Sequence, residues 1–170
     1  LMKALIIFLL VFFSSPIFAK GYDVFGVGLY DIKLDGSQTN QATDLRYERR
    51  FDYSLLEIGP DSYDFFNLKP FAGGEITSDS AIYFLFGVYL DENIGTLFTD
   101  DSSNFIFTPS FGAGYYDDGS GKELGSAIEF RTTFEVSYQL ENENRIGFSF
   151  GHISNASIGD QNPGVEIFSL

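Results

Sequence analysis

The sequence predicts an all-β chain: an eight-stranded antiparallel barrel that crosses a membrane with its strands and follows a cleavable signal peptide. Three observations predict it. Apolar residues alternate with small or polar ones at period two through most of the chain, which is the strand signature. The composition is at once aromatic, glycine-rich and acidic, with 20 Phe, 10 Tyr and 18 Gly in 170 residues and a formal net charge of −14, a mixture that suits strands joined by solvated loops. After Ala19, no stretch stays apolar for the ~18 residues of a spanning helix, so a span has to be built from strands.

The first element is the leader. Met2-Lys3 precedes ten apolar residues, Ala4–Phe13, and then Ser14-Ser15-Pro16 and a small residue, Ala19. A positive start, a short apolar run and a helix break before a small residue describe a secretory signal peptide over residues 1–19. Cleavage there leaves Lys20–Leu170 as one domain and makes the protein exported.

The strands follow in order. Phe25, Val27 and Leu29 share one parity and Gly26 and Gly28 the other; Leu45, Tyr47, Phe51, Tyr53 and Leu55 share a face into which Arg49 intrudes. Asn67–Ile76 holds Pro70 and Gly73-Gly74, so its parity is ambiguous. Ile82, Phe84, Phe86, Val88 and Leu90 alternate with Tyr83, Gly87 and Tyr89. Phe105, Phe107, Pro109, Phe111, Ala113 and Tyr115 oppose Thr108, Ser110, Gly112 and Gly114. Ile128, Phe130, Thr132, Phe134, Val136 and Tyr138 oppose Glu129, Arg131, Thr133, Glu135 and Ser137. Ile146, Phe148 and Phe150 oppose Gly147, Ser149 and Gly151, and Val165–Leu170 makes a short eighth strand. Clusters of Gly, Asp, Asn and Ser separate these runs.

The two faces decide which side is inside. A soluble sandwich buries its bulky face; a membrane barrel shows that face to lipid and fills its lumen with small and paired charged residues. Glu129, Arg131 and Glu135 lie mid-strand on the small, polar face, and the other face is almost wholly Phe, Ile, Val and Leu, which is the barrel arrangement. Eight strands of ~10 residues leave about 70 for loops, in proportion for a small outer-membrane barrel.

Composition also removes function classes. Without Cys there is no disulfide, thiolate metal site or cysteine nucleophile, and one His cannot make a two-histidine zinc site. With 10 Lys+Arg against 24 Asp+Glu the chain is a poor partner for nucleic acid. A hydrophobic content of 44% excludes a disordered chain. Asp117–Gly121 reads as a turn, Gly73-Gly74 as a bend or small lumen positions, Glu48-Arg49-Arg50 as lumen or rim pairing, and Asp91–Asp101 as a solvated acidic loop.

The chemistry lies near the end of the chain. His152 and Ser154 are two apart on a strand, so they project from one face at ~7 Å between Cα atoms. Glu166 follows a Gly/Asn/Pro turn on the next strand, where hairpin pairing brings it beside His152. A serine, a base and a carboxylate to orient the base form the serine-hydrolase constellation, and Asn155 is a candidate oxyanion donor. The same spacing also fits an incidental histidine at the membrane interface followed by a loop serine. All three residues share the parity of the lipid-facing row, so the expected triad lies outside the barrel wall, at its outer end.

These residues resemble the PagL-type lipid A 3-O-deacylases, outer-membrane acyl hydrolases. The resemblance rests on His152, Ser154-Asn155-Ala156, Asn162, Gly164 and Glu166, supported by Gly114-Tyr115-Tyr116, Gly119, Lys122, Leu124-Gly125-Ser126 and Glu129-Phe130-Arg131. It implies an eight-stranded barrel in the bacterial outer membrane, with Ser154 as nucleophile, His152 as general base and then acid, and Glu166 as orienting carboxylate. Asn155 and Asn162 would build or hold the oxyanion site. It implies lipid A of the outer leaflet as substrate, cleaved at the 3-O position, with no metal or other cofactor and with a monomer or homodimer as the working unit. Two other readings stand beside it: a non-enzymatic structural or adhesin-type barrel, and a phospholipid esterase. The enzyme requires His152, Ser154 and Glu166 to cluster; the passive barrel does not.

Overall fold

A computed structural model describes residues 20–33, 41–58, 66–95 and 104–170. The predicted signal peptide, residues 1–19, and much of the loops expected at 35–40, 59–62 and 91–103 lie outside the described residues. Ten strands occur in order: β1 Gly21–Tyr30, β2 Ala42–Phe51, β3 Leu56–Ile58, β4 Phe66–Thr77, β5 Ile82–Tyr89, β6 Glu92–Asn93, β7 Phe105–Asp117, β8 Ile128–Gln139, β9 Arg145–Ser154 and β10 Val165–Ser169. Eight of them are the staves of an antiparallel barrel, in the order β1-β2-β4-β5-β7-β8-β9-β10, closed by pairing of β10 with β1. The short β3 pairs with β4, and β6 with β7.

The faces sort as the alternation requires. Phe25, Phe86 and Ile146 are 76%, 68% and 68% exposed, and the exposed set continues around the barrel through Leu45, Phe84, Phe111, Phe134 and Phe148. An exterior of this kind is stable only against acyl chains, so the barrel spans a membrane. Inside, the small face of β8 places Arg131 against the carboxylates of Glu48 and Glu75 from the facing strands β2 and β4. Arg50 Nε donates to Glu48 Oε2 at 3.0 Å, and Arg50 Nη2 donates to Glu135 Oε2 at 2.8 Å. These bonds tie β2 and β4 to β8 across the lumen. Gly73 gives the cluster room, since a Cβ there would lie 2.8 Å from Glu48 Cγ. The Gly73-Gly74 pair therefore sits inside a continuous strand.

Two expectations are corrected and two hold. The second strand ends at Phe51 instead of continuing to Leu55, and Phe51 is buried, with its carbonyl accepting a hydrogen bond from Tyr89 Oη. Arg49 keeps the outward parity and is satisfied there by Asp23, 3.3 Å away. The short strands β3 and β6 were not predicted. The Asp117–Gly121 segment is a turn, with Gly119 at φ 55° and Gly121 N–H donating to the Asp118 carbonyl.

The barrel closes where β10 meets β1. β2 pairs with β1 over Gly21–Tyr30, whereas β10 pairs with it only over Gly28–Tyr30, with Leu170 and Val27 exchanging two further hydrogen bonds. Below that point a cleft of about 800 Å³ separates β1 from β9, bordered by Tyr22, Phe25, Arg46, Arg145, Phe148 and Leu170.

Candidate active site

β9 carries its outward row, Ile146, Phe148, Phe150, His152 and Ser154, toward the end of the barrel opposite the start of β1. There the extended backbone stops. Ala156 and Ser157 take left-handed conformations, φ 52° and 63°, and the chain returns into β10 through Gly164 at φ 58°. Two successive non-glycine residues at positive φ are strained, and such strain persists only where the surroundings over-determine it.

Asn155 supplies that constraint. It is fully buried, and its two amide protons go to the carbonyls of Leu124 and Gln161 at 2.8 and 2.7 Å. Its Oδ1 accepts from Ser157 N–H at 2.9 Å, and its own N–H donates to Asn162 Oδ1 at 3.0 Å. The expected oxyanion donor is thus occupied otherwise: in this arrangement the Asn155 side chain holds the loop after Ser154 against the β7–β8 connection, with Asn162 as its partner. Sequence reasoning missed this because Leu124 lies in a separate loop whose approach no spacing encodes.

The hairpin of β9 and β10 sets Glu166 directly opposite His152, and Glu166 Oε1 lies 3.3 Å from His152 Nδ1. With Nδ1 turned to the carboxylate, Nε2 is the free imidazole nitrogen. The imidazole is about half exposed, and Gly164 stands against its edge: a Cβ on Gly164 would fall 2.9 Å from Cε1 and 3.5 Å from Nε2. Ser154 is two residues along on the same face, at the end of β9, opposite Phe130 of β8, and Thr132 stands opposite His152. On the other side of the pair, Phe150 and Phe168 are cross-strand partners on the lipid-facing wall. The arrangement offers an imidazole with an oriented tautomer, a hydroxyl on the same face and an apolar surface for an acyl chain. Among the described residues, no three His, Cys, Asp or Glu side chains gather as metal ligands would.

Comparison with known proteins gives concordant matches. The family model described as "Lipid A 3-O-deacylase (PagL)" matches residues 30–170. The lipid A deacylase PagL of Bordetella bronchiseptica is 41% identical over 49 residues, a stretch that spans 29% of this chain and 28% of that relative. Among solved structures, the crystal structure of the outer membrane enzyme PagL superposes with a TM-score of 0.59 at 20% identity, over 87% of this chain and 95% of that one. The structural likeness concerns the fold.

Proposed function

Because the chain belongs to the lipid A 3-O-deacylase (PagL) family, we propose that it is a serine-type esterase of the bacterial outer membrane that removes the 3-O-linked acyl chain of outer-leaflet lipid A. The observation that carries the reading is the His152–Glu166 pair on the lipid-facing wall, with Ser154 on the same face. An ionisable pair directed at lipid is costly, less so near the interface, and marks a place where it serves a task.

In the proposed reaction Glu166 holds the Nδ1–H of His152, which leaves Nε2 to take the proton from Ser154 Oγ. The alkoxide attacks the ester carbonyl. The tetrahedral intermediate collapses with transfer of the imidazole's proton to the leaving sugar hydroxyl, giving an acyl-serine. Water, deprotonated by the same imidazole, releases the fatty acid and restores Ser154. Asn155 and Asn162 support the step by fixing the loop that follows the nucleophile, and the far end of the barrel faces the cell exterior, level with the substrate's acyl chains.

Mass spectrometry of lipid A from cells expressing the wild type, Ser154→Ala and His152→Ala tests the reading. Loss of one hydroxyacyl chain with the wild type and retention with both variants is the expected result. Unchanged lipid A with a folded wild-type barrel in the outer membrane overturns it in favour of a passive barrel or an esterase of another lipid.

A further inference from the structure

Lys122 lies in the connection between β7 and β8, yet it reaches two other segments at once. Its Nζ donates to Asp31 Oδ1 at 2.6 Å and to the carbonyl of Gly164 at 2.7 Å. The first is the residue after β1 and the second the residue before β10. Both charged groups are well covered, with side-chain exposures of 15% for Lys122 and 2% for Asp31. The stem is fixed as well, because Tyr116 Oη donates to the Lys122 carbonyl at 2.7 Å and in turn accepts from Tyr30 Oη at 3.2 Å.

From these contacts we propose that Lys122 is a positioning residue for the His152–Glu166 pair, acting through the carbonyl of Gly164. The proposal rests on the hydrolase reading above and extends it to a residue outside the triad. Gly164 is the wall beside the Cε1–Nε2 edge of the imidazole, and its left-handed backbone sets where that wall stands. A charge-assisted bond to its carbonyl fixes the orientation of the Gly164–Val165 peptide. Ile32 N–H, next to Asp31, donates to the Glu166 carbonyl at 3.0 Å, so the same corner of the barrel holds the backbone on both sides of Val165. Without the lysine the peptide is free to rotate, the wall recedes, and the ring can turn its Nε2 away from the nucleophile.

Loss of the ammonium does not strip Asp31 of a counter-ion, because Lys33 Nζ lies 3.5 Å from the same carboxylate oxygen. A neutral substitution at Lys122 therefore removes its bonds to Gly164 and Asp31 while the Asp31 carboxylate keeps a counter-ion. The chain also holds a single histidine, so histidine-selective ¹⁵N labelling of a protein with a histidine-free tag reports on His152 alone.

The experiment records that ¹⁵N spectrum and steady-state kinetics for the folded wild type, Lys122→Met, Lys122→Gln and Lys122→Arg; two neutral variants are made so that at least one folded barrel is read. The wild type is expected to show one tautomer, protonated at Nδ1. The neutral variants are expected to show a mixture of tautomers, with kcat lower by about 10-fold to 100-fold and KM little changed, as for a displaced catalytic group. Lys122→Arg, which keeps a charged donor, is expected to restore the single tautomer. A wild-type spectrum in either folded neutral variant overturns the proposal, and so does failure of arginine to restore the spectrum. The spectrum requires no turnover: a wild type inactive on lipid A defeats the hydrolase reading, while the tautomer still decides the role of Lys122.

Discussion

At the scale of single residues, the proposed site divides into groups that act and groups that hold them. Glu166 belongs to the first kind only through His152, so Glu166→Gln, which keeps the shape but replaces the carboxylate by an amide able to turn either a donor or an acceptor toward Nδ1, is expected to lower kcat by on the order of 10²-fold or more with the barrel intact. Gly164 belongs to the second kind. Gly164→Ala meets both an unfavourable φ of 58° and a contact of 2.9 Å with Cε1, so it is expected to reduce turnover in a folded barrel, and full activity would show that the ring is not held from that side. The placement of the proposed acting residues was legible in the sequence, because two of them follow from strand parity and the third from the hairpin. The holding residues were not: Asn155 closes on Leu124 and Lys122 on Asp31, contacts between loops that approach over the barrel mouth without any period to announce them.

At the scale of elements, alternation was informative wherever a strand runs between lipid and lumen, and it failed at strand ends. Phe51 has the outward parity but is buried where β2 finishes, and β3 and β6, at three and two residues, are too short to show a period. The charged residues of the small face proved the better guide, because a buried charge demands a partner and so fixes which face is enclosed. Arg131 meets two carboxylates from the opposite side of the barrel and is 1% exposed. Arg131→Met therefore leaves Glu48 and Glu75 less compensated in the lumen, and a destabilisation of about 3–5 kcal/mol is expected, read as a lower temperature for the gel-mobility shift of the unfolding barrel. Adding Glu48→Gln and Glu75→Gln to that variant is expected to recover much of the loss. Because this network lies inside and the proposed triad outside, the folded fraction of Arg131→Met is expected to keep its turnover.

At the scale of the whole molecule, the proposed chemistry lies on the outer wall, and the lumen holds the wall together. Closure of that wall, where β10 meets β1, depends on Gly28: a Cβ there would lie 2.3 Å from the Phe168 carbonyl oxygen and 2.4 Å from Ser169 Oγ. Two paired strands leave no slack for such a contact. Gly28→Ala is therefore expected to force β1 and β10 apart and to lower the temperature of the gel-mobility transition. At Gly26, two residues back on the same face, a Cβ would meet only the Arg46 side chain, nearest at 3.1 Å, and a flexible side chain can give way. Gly26→Ala is accordingly expected to change the transition little. If both variants lower it equally, the loss comes from replacing glycine in β1 at large and closure does not hinge on Gly28.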